Sequence, residues 1–121
     1  MNGLESGDLR YENGQPVVYV TSETANKLLE QYGKKIAESG KPPILDFSKA
    51  RYISSTGVGQ ILALYAELQE GGIDSIRLRN LSSSHLKIFS LIGLDTAEGI
   101  EIEGLDGTVA KLSKEGAKPT E

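Results

Sequence analysis

The chain has 121 residues, 38% hydrophobic and 25% charged, with a formal net charge of −4; that is enough for one domain around one core, too little for two, and has the balance of a soluble globular protein. The absence of cysteine excludes disulfides and thiolate metal sites and fits a cytoplasmic protein. The acidic charge repels polyanions, and scattered Lys and Arg with no Trp and two Phe argue against nucleic acid as a partner.

Residues 1–7 (MNGLESG) are small and polar and read as a loose terminus, and the stretch 1–14 (MNGLESGDLRYENG) lacks the basic-then-apolar layout of a signal segment. Leu9 and Tyr11, then Val17, Val18, Tyr19 and Val20, flank ENGQ and predict two short strands around an Asn13-Gly14 turn. Ala25, Leu28, Leu29, Tyr32 and Ile36 form a helical stripe, entered through Thr21, Ser22 and Glu23 and stopped at Gly40-Lys41-Pro42-Pro43. PILDF (43–47) reads as a strand apolar enough to be buried on both faces.

A helix is expected from about Ser55, with Val58, Ile61, Leu62, Tyr65 and Leu68 on its apolar face and Gly71-Gly72 at its end. IDSIRLRN (73–80) alternates as a strand does, and SSSHLKIFSLIG (82–93) reads as a helix with serine caps and Gly93 as its stop. Ile100 and Ile102 predict a last strand, Val109 and Leu112 a last short helix, and residues 115–121 a second loose terminus. The expectation is one α/β domain over residues 8–114, ordered β-β-α-β-α-β-α-β-α. Such alternation implies a mostly parallel sheet of about five strands with an antiparallel edge hairpin, and leaves open whether its four helices gather on one face. No apolar run approaches the ~20 residues needed to span a bilayer, so no membrane insertion is expected.

An enzyme needs a base, a nucleophile or a metal. The single histidine, His85, sits among serines at a helix start, where capping or solvation is the ordinary role, and G-x-S-x-G and H-E-x-x-H are missing. Asp46, at the end of a buried strand, reads first as a carboxylate accepting loop N–H bonds. Gly57 and Gly59 in TGVGQIL imitate half of a dinucleotide fingerprint, but Leu62 holds the third glycine position and no Lys-Ser/Thr pair is present. No enzyme activity and no cofactor are expected.

What remains is the hydroxyl cluster Ser54, Ser55 and Thr56 at a helix entry. A helix N-terminus carries unpaired N–H groups and about half a positive charge, so it favours an anion. A phosphate there adds ~1.5–2 negative charges and three acceptor oxygens, which a docked partner would feel. The same hydroxyls could equally be ordinary caps.

From Val17 to about Leu112 the chain resembles the STAS domain of bacterial anti-sigma factor antagonists, which implies a mixed, mostly parallel sheet of four or five strands with the helices packed on one face. PILDFSKARYISSTGVGQILALYAELQEGG (43–72) is similar to the family's apolar strand, Asp, a few residues, Asp-Ser-Ser-Gly-Leu-Gly and apolar helix. IRLRNLSSSHLKIFSLIGLD (76–95) matches its strand, Asn-containing loop and helix ending near Gly-Leu-Asp. Gly57 and Gly59 match the motif glycines and Ser55 a motif serine, while Ser54 stands where the family has aspartate. VTSETA (20–25) replaces a common G-x-L-D.

The resemblance implies that Thr56, immediately before the first glycine, is the phosphate acceptor, with Ser55 the fallback. Ser54, which caps or bonds the loop, then joins Gly57, Val58, Gly59 and Asp46 as the phosphosite loop and docking surface. It implies a cytoplasmic signalling and transcription-regulating phospho-switch in partner switching. A GHKL-type anti-sigma/switch kinase binds the unphosphorylated protein, freeing a sigma factor or other client. Phosphorylation releases the complex and a PP2C-type phosphatase resets it. Two other roles are consistent with the resemblance: a cytoplasmic accessory subunit of a lipid-transporting ABC complex, or a degenerate, unphosphorylated interaction module. The chain reads as a lone domain, which sets aside a transporter fusion.

Overall fold

The structure, a computed structural model, describes residues 9–93 and 98–104. Strands β1 (Leu9–Glu12) and β2 (Gln15–Thr21) form an antiparallel hairpin. Its turn residues Asn13 and Gly14 have φ of 55° and 81°, the paired left-handed geometry that lets a two-residue turn match the strands' twist. A 3-10 turn, Thr24–Lys27, leads into α1 (Leu28–Ser39). After it come β3 (Ile44–Lys49), α2 (Ser55–Glu70), β4 (Ile76–Leu81), α3 (Ser83–Leu91) and β5 (Ile100–Gly104).

The five strands lie in chain order, β1-β2-β3-β4-β5, parallel from β2 onward. Strand alternation divides the sheet into two unlike faces. Leu9, Val18, Leu45, Leu78 and Ile102 stand in register across all five strands and are buried. They share one core with Ala25, Leu28 and Ile36, with Ile61, Leu64 and Leu68 of α2, and with Phe89 of α3. The described helices thus gather on that face. The opposite face carries the rows Arg10–Val17–Ile44–Arg77–Glu101 and Tyr19–Asp46–Arg79. The expected mixed, mostly parallel α/β sheet is the one found.

Two expectations need correction. The stripe from Ala25 to Ile36 is not one helix: Lys27, at φ −129° and ψ 23°, separates the 3-10 turn from α1. Reciprocal bonds between Thr21 and Thr24, 2.7 and 3.0 Å from each backbone N–H to the other hydroxyl, start the short turn separately. Leu62, expected on the apolar face of α2, is 44% exposed, and Leu64 is buried instead. The apolar run ILALY satisfies a helical stripe in more than one rotation, and the neighbouring 3-10 turn selects the one in which Gly57 faces inward. The expected helix at Val109 and Leu112 and both termini lie outside the described residues. Among the described residues no helix is long and apolar enough to cross a membrane.

Candidate functional site at the entry to helix α2

Because β2, β3 and β4 run parallel, the segments leaving their carboxyl ends lie along one edge of the sheet. The segment from Ala50 to Ser54 is turned there by Ala50 N–H donating to the Phe47 carbonyl at 3.1 Å and anchored by buried Ile53. Ser54, extended at φ −81° and ψ 169°, is the N-cap of α2; its Oγ accepts from Gly57 N–H at 3.1 Å. The same hydroxyl donates to Asn26 Oδ1 of the 3-10 turn at 2.8 Å. Ser54 is thus fully engaged.

Ser55 and Thr56 differ from it. Both are exposed, and neither hydroxyl is bonded among the described residues. Their backbone N–H groups, the first two of the helix, likewise have no acceptor there, since the first bonds are made by Gly57 and Val58. A hydroxyl at Thr56 is therefore solvent-facing beside two open donors and the positive end of a 16-residue helix. That arrangement accommodates an anion without moving the chain.

The two glycines have unlike surroundings. A Cβ on Gly57 would lie 3.1 Å from Ile53 Cγ2 and 3.2 Å from Ala25 Cβ, so hydrogen is what lets the 3-10 turn close on α2. Gly59 has nothing within 4 Å of that position and leaves bare backbone at the surface. Exposed Tyr52 and Leu62, with half-buried Val58, border the same patch. Tyr52 is 66% exposed, its N–H donating to Ser22 Oγ at 3.4 Å.

Residues 17–110 match the family described as the STAS domain. The chain belongs to the STAS domain family. The STAS architecture is repeated in the crystal structure of a candidate anti-sigma factor antagonist from Thermotoga maritima, with a TM-score of 0.65 at 16% identity, over 91% of this chain and 93% of that one. At that identity the likeness is one of fold. No curated protein matches. What the site presents at the surface is a pair of exposed hydroxyls and open backbone N–H groups.

The STAS fold separates the other sequence-singled residues from the α2 entry. Asp46 is 2% exposed on the sheet face that carries no described helix. It accepts from Arg79 Nε at 2.7 Å, Asn80 Nδ2 at 2.9 Å and Ser48 N–H at 2.9 Å. Burial pushes its pKa up, but these bonds outweigh burial and hold it below the ordinary value. So its donors are two side chains of the neighbouring strand β4 and one N–H of its own strand, rather than loop N–H groups, and it does not reach the exposed patch. His85 caps α3 and is buried at 2% rather than solvated; it bonds Ser82, not the hydroxyls of α2. Among the described residues, no group of His, Asp and Glu could hold a metal.

Sequence reasoning missed two side chains that build the site. Asn26, 28 residues before Ser54, orients the cap. Gln60 Oε1 accepts from Leu29 N–H at 2.9 Å, supplying from α2 the cap that α1 lacks from its own preceding residue. Neither pairing leaves a local signature, because each joins elements brought together only by the crossover through β3.

Proposed function

We propose that this STAS domain is a phospho-switch whose acceptor is Thr56. In the unphosphorylated state it binds a GHKL-type switch kinase through the α2 entry; phosphorylation releases it, and a PP2C-type phosphatase restores binding. The observation that supports this reading is the division of labour among three adjacent hydroxyls: Ser54 holds the helix, while Ser55 and Thr56 stand exposed and unbonded beside open N–H groups. The change is one of surface charge, with the partner repelled and the domain unmoved. Ser54, Gly57, Val58 and Gly59 shape the docking patch. Asp46, bonded to Arg79, Asn80 and Ser48 on the other sheet face, is no part of that patch.

Peptide mass spectrometry of the protein from its native cells, covering residues 50–62 under growth and stress conditions, tests the assignment. Phosphate on Thr56 is the expected result. Phosphate on Ser55 alone would move the acceptor by one residue, and full coverage without phosphate would overturn the switch in favour of constitutive binding. In purified protein, Thr56→Asp is expected to change stability by less than ~1 kcal/mol, in the favourable direction, since it adds an anion to a helix N-terminus. Weaker kinase binding by that variant then reports on the surface and not on folding.

A further inference from the structure

His85 occupies the third position of α3 and is 2% exposed. Its ring lies 5.9 Å from that of Phe47 on β3, which meets Phe89, one turn along α3, edge-on at 6.1 Å. Its backbone N–H donates to Ser82 Oγ at 3.2 Å, while its Nδ1 accepts from Ser82 N–H at 3.1 Å. This is a capping box in which an imidazole does the work usually given to Glu or Gln. Accepting at Nδ1 places the single proton of the neutral ring on Nε2. Nε2 is buried without a partner of hydrogen-bond geometry among the described residues. The groups that act on it are the main-chain carbonyls of Ala50 and Arg51, in the segment entering α2.

We propose that His85 is a proton-operated latch joining the α3 cap to the segment that presents Ser54–Thr56. Neutral, it accepts from Ser82 N–H at Nδ1, carries its proton on the buried Nε2, and rests against Phe47 of β3. Protonation puts a hydrogen on Nδ1 as well, so two donors face each other across the cap and half of the box is lost. The ring must then shift, and it packs on Phe47, whose carbonyl accepts from Ala50 N–H at 3.1 Å where the segment entering α2 begins. Acidification therefore loosens the edge of the sheet that carries the α2 entry.

The surroundings make the ring's charge costly. On β3, Asp46 points to the opposite sheet face and is bound to Arg79, and Lys49 lies over the Tyr19 ring. Arg51 acts through its carbonyl, and Lys87 on α3 is exposed. Burial disfavours the imidazolium, the two carbonyls favour it, and burial prevails, so the folded ring is harder to protonate than the free one at 6.5. The stability it contributes is complete above that pH and declines as the pH falls below it.

The test is a nitrogen-15 NMR pH titration of the whole chain beside His85→Gln, which keeps a capping side chain and removes the titration. Since His85 is the sole histidine, its signals need no assignment. The expected result is an Nε2-protonated ring with a midpoint below 6.5 and amide shifts of Ser82 and residues 50–54 that track the same midpoint. The Ser82 amide should also exchange about fivefold faster once the ring is charged, the scale of one lost cap. In His85→Gln the coupled shifts should vanish. An Nδ1-protonated ring, a midpoint at or above 6.5, or shifts at 50–54 that persist in the variant would overturn the latch. Should the variant fail to fold, the wild-type tautomer and midpoint decide alone.

Discussion

Ser54 Oγ takes one bond from Gly57 N–H and gives one to Asn26 Oδ1, so a single atom fixes both the start of a helix and the position of the turn beside it. Ser54→Ala is expected to destabilise the domain by about 1–2 kcal/mol, the upper part of the range for a lost N-cap, because both bonds go. Asn26→Ala should cost less, about 0.5–1 kcal/mol, because the cap survives and the Ser54 hydroxyl can turn to water. Denaturant unfolding of the two single variants and the double variant checks this: the double should cost no more than Ser54→Ala. Additive losses would mean that the two residues act independently. The hydroxyl cluster itself was legible, because three such residues before a glycine-apolar run mark a helix entry in any fold. That Ser54 is the engaged hydroxyl was read from the motif's likeness to the family, whereas its second bond, to Asn26, was not legible, because the chain brings Asn26 back only through the 3-10 turn.

The entry helix α2 also illustrates what a glycine contributes at each of two neighbouring positions. Helix interiors favour Ala over Gly by about 1 kcal/mol. At Gly59 the space is open, so Gly59→Ala is expected to raise stability by about 0.5–1 kcal/mol. At Gly57 the new methyl would press on Ile53 and on Ala25, whose Cβ is fixed to the backbone of the 3-10 turn. Overpacking of about 1–3 kcal/mol then exceeds the propensity gain, and Gly57→Ala should lower the melting temperature while Gly59→Ala raises it. The Asn13-Gly14 turn, the left-handed stop at Gly40 and the φ of 80° at Gly93 arise from local chemistry alone and are readable in the sequence. The rotation of α2 is not, because Leu62 and Leu64 are equally apolar and only the packed partner chooses between them.

On the sheet face that carries no described helix, a charge cluster joins the strands beside the buried Val17 and Ile44. Arg79 on β4 joins Asp46 on β3 at 2.7 Å and Glu12 on β1 at 3.2 Å, and Tyr19 on β2 donates to Glu12 at 3.1 Å, so one cluster clamps four strands. A carboxylate with 2% exposure is tolerable only because these partners surround it. Asp46→Asn is expected to cost about 2 kcal/mol at neutral pH, the scale of a charge-assisted bond. Since the folded pKa of Asp46 is depressed, its contribution is present above the unfolded value near 3.8 and is lost as the pH falls through the lower folded value. The gap between wild type and variant should therefore be constant above about pH 5 and close in strong acid, as equilibrium unfolding across pH will show. The strand order has a consequence in time. Each strand lies beside the one made just before it, so a nascent chain can extend the sheet at its growing edge and never has to reopen a pair already formed. Pairing each strand with the one before it keeps every crossover's closing loop as short as the intervening helix allows, which limits its entropic cost. The N-terminal hairpin and its neighbours can thus be in place on the ribosome before the last strand is synthesised.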